Sequence, residues 1–186
     1  MKDKTMNRDL EKILYTEEEI KAEVEEAAKW LDGKFKGKYP LCVGILKGSA
    51  MFCCDLVRAM KTAVELDFMT ISSYGNNAET TGEVKVMTGF TASAEGRDVI
   101  LVEDIVDSGH TLLKLRNLFA ESGARSVTAV TLLDKPVMRH AKVTADYSCF
   151  RIGEGFVVGY GLDYAQKYRD LPYLGILKRE IYEEKH

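Results

Sequence analysis

The sequence predicts an α/β fold in which a mostly parallel central sheet is flanked by helices. Three observations carry that expectation. Val99–Val102 is a run of four apolar residues, the pattern of a strand buried on both faces. Thr111–Glu121 reads as a helix stopped by Ser122-Gly123, and Ser126–Leu133 is a second apolar run. Strand, helix and strand in that order make a parallel βαβ unit. The chain has 186 residues, which suits one domain, since domains commonly hold about 100–200 residues.

The first fifteen residues read as a weakly structured arm. Thr16-Glu17-Glu18-Glu19 then forms a capping box, with Thr16 capping and Glu19 reaching back. Ile20, Val24, Ala27, Ala28 and Leu31 recur at helical spacing, which predicts a helix to about Asp32-Gly33. Leu41–Leu46 is a short apolar strand ending at Lys47-Gly48-Ser49, and an amphipathic helix over about 50–60 follows. Val64–Ile71 reads as a strand. Residues 72–83 form a polar loop rich in Asn, Thr and Gly, expected to be mobile, and 83–88 reads as another short strand. The last forty or so residues are aromatic-rich and irregular, with strand candidates near 147–150 and 156–160.

Composition narrows the function. The chain is 46% hydrophobic and 30% charged, and 26 Lys and Arg stand against 29 Asp and Glu, for a formal net charge of −3. A nucleic-acid binder usually carries a basic excess, so no nucleic-acid partner is expected. No apolar run approaches the roughly 20 residues of a membrane helix, so no membrane partner is expected either. Cys42, Cys53, Cys54 and Cys149 form no Cys-x-x-Cys pair and only three histidines occur, which argues against zinc. Reduced cysteines and a cytoplasmic location are expected.

The most informative stretch is Val99-Ile-Leu-Val-Glu-Asp-Ile-Val-Asp-Ser-Gly-His-Thr111. An apolar strand delivers Glu103 and Asp104 at its C-terminal end, where ligands bind in open parallel sheets. Asp107-Ser108-Gly109-His110-Thr111 then bridges to a helix. Such a loop offers free backbone N–H groups and a helix N-terminus, both suited to phosphate. Ser108 and Thr111 add hydroxyl donors, and Gly109 lets the backbone approach a ligand closely. A lone acidic pair here would be a solvated turn with Asp107 as helix cap. Beside an anion cradle, three acids would repel a phosphate unless a cation or sugar hydroxyls intervene. A ribose phosphate carrying Mg²⁺ meets both conditions.

This stretch resembles the phosphoribosyl pyrophosphate loop of type I phosphoribosyltransferases. Its Glu-Asp-Ile-Val-Asp-Ser-Gly form is similar to that of the hypoxanthine-guanine phosphoribosyltransferases. The resemblance implies that Glu103 and Asp104 contact the ribose hydroxyls and magnesium. It makes Asp107 the general base near purine N7 and gives the 5′-phosphate to Ser108, Gly109, His110 and Thr111. His110 stands where the family varies, so only a backbone amide is expected of it.

Four further segments extend the resemblance over about residues 41–178. Leu46-Lys47-Gly48 is similar to the family's pyrophosphate loop, often built on a non-proline cis peptide. Ser73-Tyr74-Gly75 resembles the opening of its active-site cover, a lid that shields a developing ribosyl cation from water. Lys135 stands where the family donates to the purine O6. Lys has donors and no acceptor, so it selects oxo over amino purines. The segment from Phe156 to Tyr164 matches the C-terminal signature, implying that Phe156 stacks on the purine and Val157 offers it backbone groups. Asp163 is implied to touch a second magnesium or to position the base. Arg169 is placed for pyrophosphate, which its planar fork suits.

The resemblance implies an enzyme that joins a 6-oxopurine to phosphoribosyl pyrophosphate with Mg²⁺, assembled as a homodimer or homotetramer. It also implies one domain over 1–186, with a core of about 35–145 and a hood from about 146–186 joined by the N-terminal arm. Two rivals explain less. A nucleotide-sensing regulator would usually add a basic face or a DNA-binding domain. A flavodoxin-like phospho-acceptor using Glu103, Asp104 and Lys135 leaves Lys47-Gly48 and Phe156–Tyr164 without a role.

Overall fold

The structure, a computed structural model, describes residues 7–73 and 84–183. The chain begins with β1 (Leu10–Tyr15) and α1 (Glu17–Lys34), followed by β2 (Leu41–Leu46) and α2 (Ala50–Ala59). Next come β3 (Glu65–Ser73), β4 (Val84–Thr88), β5 (Asp98–Val106), α3 (His110–Glu121) and β6 (Ser126–Asp134). A 3₁₀ turn over Pro136–Met138 leads to β7 (Tyr147–Arg151), β8 (Val157–Val158), β9 (Leu174–Leu177) and α4 (Arg179–Tyr182).

The larger sheet has the order β4-β3-β2-β5-β6-β7. Its five strands from β3 to β7 run parallel, and β4 closes the β3 edge antiparallel. Every residue of β2 from Leu41 to Ile45 is buried, as is β5 from Asp98 to Glu103. Both faces are therefore covered, and the pleat sorts the side chains. Cys42, Ile100, Val102 and Val130 pack towards α1 and α2. Leu41, Val43, Val99, Leu101 and Ala129 pack towards Leu112, Leu115 and Phe119 of α3. Alternate strand residues point to opposite faces, so one apolar run feeds both cores.

The capping box forms as expected: Glu19 N donates to Thr16 Oγ1 at 3.2 Å and Thr16 N donates to Glu19 Oε2 at 2.8 Å. The N-terminal arm differs from expectation. Leu10–Tyr15 is a strand, paired antiparallel with β9 and interrupted by two register shifts. Its mixed polar and apolar residues show no clean alternation; the edge of β9 supplies the hydrogen bonds that make it a strand. Together β1, β9 and β8 form a second, antiparallel sheet. Its core is Leu10, Val158, Tyr173 and Leu177. Asn7 N donates to Tyr173 Oη at 3.0 Å and Tyr168 Oη to Asp9 Oδ2 at 2.7 Å, tying the arm to the C-terminal segment.

The boundary of the larger unit also shifts. Tyr147–Arg151, expected in the hood, is instead the parallel edge strand of the main sheet beside β6. The small sheet leans over the C-terminal ends of the parallel strands. Tyr160 Oη donates to Asp55 Oδ2 on α2 at 2.7 Å, and Gly161 packs so closely that a Cβ there would stand 2.1 Å from Gly48 O.

Candidate active site

A cavity of about 540 Å³ opens where β2 and β5 end, between those strands and the small sheet. Glu103, Asp104 and the loop from Asp107 to Gly109 form one wall, with Thr111 behind them. Lys47 and Gly48 form a second wall, and Asp163, Gln166 and Arg169 close the side contributed by the C-terminal segment. A second cavity of about 250 Å³ is lined by Lys135, Gly155, Phe156, Val157 and Leu162. The two share Asp104, Ile105, Asp107 and Asp163, so they are halves of one cleft.

The loop after β5 has the backbone geometry of an anion cradle. Gly109 caps α3 with φ +85°, a left-handed conformation that glycine adopts without strain. A Cβ there would meet Arg139 Cδ and Val143 Cγ1, each at 2.9 Å. α3 starts at His110, so its first N–H groups face the cleft unpaired within the helix. The His110 imidazole is exposed, and its backbone N–H lies 3.5 Å from Ser108 Oγ.

The acidic pair is held under tension of charge. Glu103 is 5% exposed and its Oε1 has no hydrogen-bond partner among the described residues. Burial, reinforced by Asp104, pushes its carboxyl well above the usual carboxylate range. Burial also raises Asp104, opposed by backbone N–H groups including that of Ile105 and by the Arg169 charge. Gly48 lies against Asp104: a Cβ on it would fall 1.5 Å from Asp104 Oδ2. The two loops at the ends of β2 and β5 therefore touch only because residue 48 has no side chain. The Leu46–Lys47 peptide is cis.

Asp107 also leaves a buried oxygen, Oδ1, without a partner among the described residues. It stands on the ridge common to both cavities. Lys135 Nζ donates to Gly155 O at 3.0 Å, placing the ammonium at the rim of the smaller cavity with two donor positions to spare among the described residues. The Phe156 ring is 36% exposed, held edge-on by Tyr164 at 5.4 Å and flanked by Tyr182 at 5.2 Å. Val157 is buried in β8 behind it.

On the far side Arg169 pairs with Asp163 at 2.6 Å and donates to Gly161 O at 2.7 Å. Gln166 joins this group, a residue the sequence reading passed over. Its Oε1 accepts from Lys47 Nζ at 3.3 Å and Arg169 Nη2 at 3.4 Å, and its N–H donates to Asp163 Oδ2 at 2.8 Å. It links two cations that stand 122 positions apart in the chain. Its only local signal is conformational: Ala165, Gln166 and Tyr168 all have positive φ. Of the expected cover, Ser73 is the last residue of β3, while Tyr74 and the rest of the loop to residue 83 lie outside the described residues.

Glu103, Asp104 and Asp163 were expected to face magnesium. Among the described residues, no three His, Cys, Asp or Glu side chains come together as a cation cage, and both Asp163 oxygens already have partners. Burial of the adjacent Glu103 and Asp104 carboxyls disfavours their charged forms, and a cation brought between them would favour ionisation. Such a donor set fits a hard cation that arrives with phosphate oxygens and keeps much of its own hydration.

A parallel sheet of this topology, with an anion-cradling loop after its central strand and an acidic pair before it, has the architecture of a sugar-phosphate-binding α/β domain. The chain matches the family model for the phosphoribosyl transferase domain over residues 11–165 and belongs to that family. It is 48% identical over 178 residues to the hypoxanthine-guanine phosphoribosyltransferase of Bacillus subtilis, covering 96% of this chain and 99% of that one. It is 49% identical over 180 residues to the bifunctional protein TilS/HprT of Listeria innocua, covering 97% of this chain but spanning only 28% of that longer protein. The crystal structure of a Staphylococcus aureus hypoxanthine phosphoribosyltransferase superposes with a TM-score of 0.91 at 45% identity, covering 95% of this chain and 96% of that one.

Proposed function

We propose that the protein transfers the phosphoribosyl group of 5-phospho-α-D-ribose 1-diphosphate to N9 of hypoxanthine or guanine, giving IMP or GMP and pyrophosphate, as a purine-salvage enzyme. One observation carries the reading: the anion-lined cavity and the cavity of Lys135 and Phe156 meet at Asp104 and Asp107. A sugar phosphate in the first and a flat base in the second would bring C1′ and N9 together at that ridge.

In this mechanism the amides of the 108–111 loop, with the Ser108 and Thr111 hydroxyls, hold the 5′-phosphate. Glu103 and Asp104 face the ribose hydroxyls. Lys47, Gly48 and Arg169 hold the pyrophosphate, and Gln166 keeps the two cations aligned. Phe156 stacks on the base, Val157 offers backbone groups to its edge, and Lys135 donates to O6. The bond from C1′ to the pyrophosphate oxygen breaks as the N9–C1′ bond forms, and the N7 proton passes to Asp107. Glu103 and Asp104, with Asp163, would hold Mg²⁺, which would neutralise charge on the departing pyrophosphate. Ser73 and Tyr74 open the cover that excludes water.

The small sheet with the N-terminal arm acts as the hood of a single domain. The assembly is a homodimer or homotetramer, read by size-exclusion with light scattering. The site of action is the cytoplasm, in keeping with free thiols at all four cysteines; no described helix is long and apolar enough to cross a membrane. The test is conversion of radiolabelled hypoxanthine, guanine and adenine with phosphoribosyl pyrophosphate, with and without Mg²⁺. Turnover of a 6-oxopurine that requires Mg²⁺ is expected. Turnover of adenine with none of either 6-oxopurine would overturn the assignment.

A further inference from the structure

We propose that Arg139 is a positioning residue for this reaction: it fixes the loop after β5 so that its amides and the Asp107 carboxyl face the cleft. The inference rests on the proposed transfer and adds a residue that touches neither substrate. Arg139 follows the 3₁₀ turn on the far side of the loop and its side chain is 14% exposed. Its Nε donates to Asp107 O at 2.9 Å, and its Nη2 donates to Val106 O at 3.0 Å. Its Nη1 donates to Val143 O at 2.6 Å, and Asp134 at the end of β6 pairs with Nη2 and holds the guanidinium in plane. The next two residues continue the pattern: His140 N and Ala141 N both donate to Ser108 O, at 3.0 and 2.9 Å.

Three consecutive carbonyls, those of Val106, Asp107 and Ser108, are thus held away from the cleft by residues 139–141, the first of them also by Lys135 N at 3.0 Å. A carbonyl turned towards a phosphate would repel it, so fixing these three outwards commits the following N–H groups to the anion. The same clamp fixes the Asp107 main chain, and with it the side chain whose Oδ1 is buried and unpartnered. The loop also rests on the Arg139 stem, since a Cβ at Gly109 would meet Cδ at 2.9 Å. Only a planar, five-donor fork can reach the Val106, Asp107 and Val143 carbonyls and a carboxylate together; a lysine ammonium cannot.

The decisive variants are Arg139→Lys, which keeps a cation beside Asp134, and Arg139→Ala, which opens space for free guanidinium. In both, kcat is expected to fall more than about tenfold and the KM for phosphoribosyl pyrophosphate to rise, because a loop displaced by about 1 Å misplaces both the phosphate and the Asp107 carboxyl. The KM for the purine should stay within about threefold of wild type, since Lys135 and Phe156 still line the base cavity. Millimolar guanidinium should restore much of the lost kcat in Arg139→Ala and none in wild type, a rescue that a purely structural role would not give. Should Arg139→Ala fail to fold, Arg139→Lys decides alone. A kcat for Arg139→Lys within about threefold of wild type, or loss of its cooperative melting, would overturn the role. Absence of any 6-oxopurine turnover in the wild type would instead overturn the transferase reading on which it rests.

Discussion

Replacing Asp107 by Asn tests the chemistry with the least structural disturbance. The side chain keeps its shape and loses its negative charge, and with it the capacity to take a proton. Among the described residues its Oδ1 has no hydrogen-bond partner, so the substitution breaks no such bond there. The loop is held through main-chain carbonyls, including the Asp107 carbonyl that accepts from Arg139 at 2.9 Å, and these are untouched. Stability should therefore change by less than about 1 kcal/mol. Loss of a general base usually costs about 10²–10⁴-fold in rate, or about 3–5 kcal/mol of transition-state stabilisation. The measurement is steady-state nucleotide synthesis with saturating phosphoribosyl pyrophosphate, beside its binding isotherm and a melting curve. A kcat reduced within that range with near-normal affinity for phosphoribosyl pyrophosphate is expected. Lost affinity with kcat preserved at saturation would refute the reasoning and make Asp107 a binding residue.

Lys135→Ala should weaken the base by about 1.5–3 kcal/mol, the worth of a hydrogen bond from a charged donor, and narrow the kcat/KM preference for hypoxanthine over adenine; an unchanged ratio would assign Lys135 another task. Gly48→Ala places a Cβ 1.5 Å from Asp104 Oδ2, so one loop must move, and turnover should drop by about 10²-fold while the melting temperature holds; full activity would show that the loops separate freely. Asp98, 3% exposed, is paired with Arg125 and accepts from Ser126 Oγ. The Arg125 hydrogen bond is the main reason its carboxyl sits well below the usual range. A depressed carboxylate contributes stability above its unfolded pKa of about 3.9 and loses it as pH falls. Asp98→Asn should therefore melt several degrees lower at pH 7, with the gap to wild type narrowing progressively as pH falls below about 4 towards the depressed folded pKa; a gap that does not narrow at all between about pH 7 and about pH 2 would contradict the ion-pair account.

Much of this protein is determined locally and was legible in its sequence. The largely apolar runs of β2, β5 and β6 require cover on both faces, which dictates a parallel sheet with helices on either side. The capping box sets the start of α1 through contacts three residues apart. Glu103, Asp104 and the loop to Thr111 are contiguous, so strand end, turn and helix start place them together whatever surrounds them.

Tertiary structure decided what distant segments supply to one another. Leu10–Tyr15 is a strand only because β9 offers it an edge, and Tyr147–Arg151 joins the main sheet only because β6 leaves one open. Gln166 and Arg139 carried no motif, because their partners lie far off in the chain: Lys47 for one, the carbonyls of Val106 and Asp107 for the other. Periodicity and turn chemistry report interactions within a few residues. Edge pairing and a hydrogen bond that spans 119 positions arise only once burial of the two apolar faces has brought those segments together.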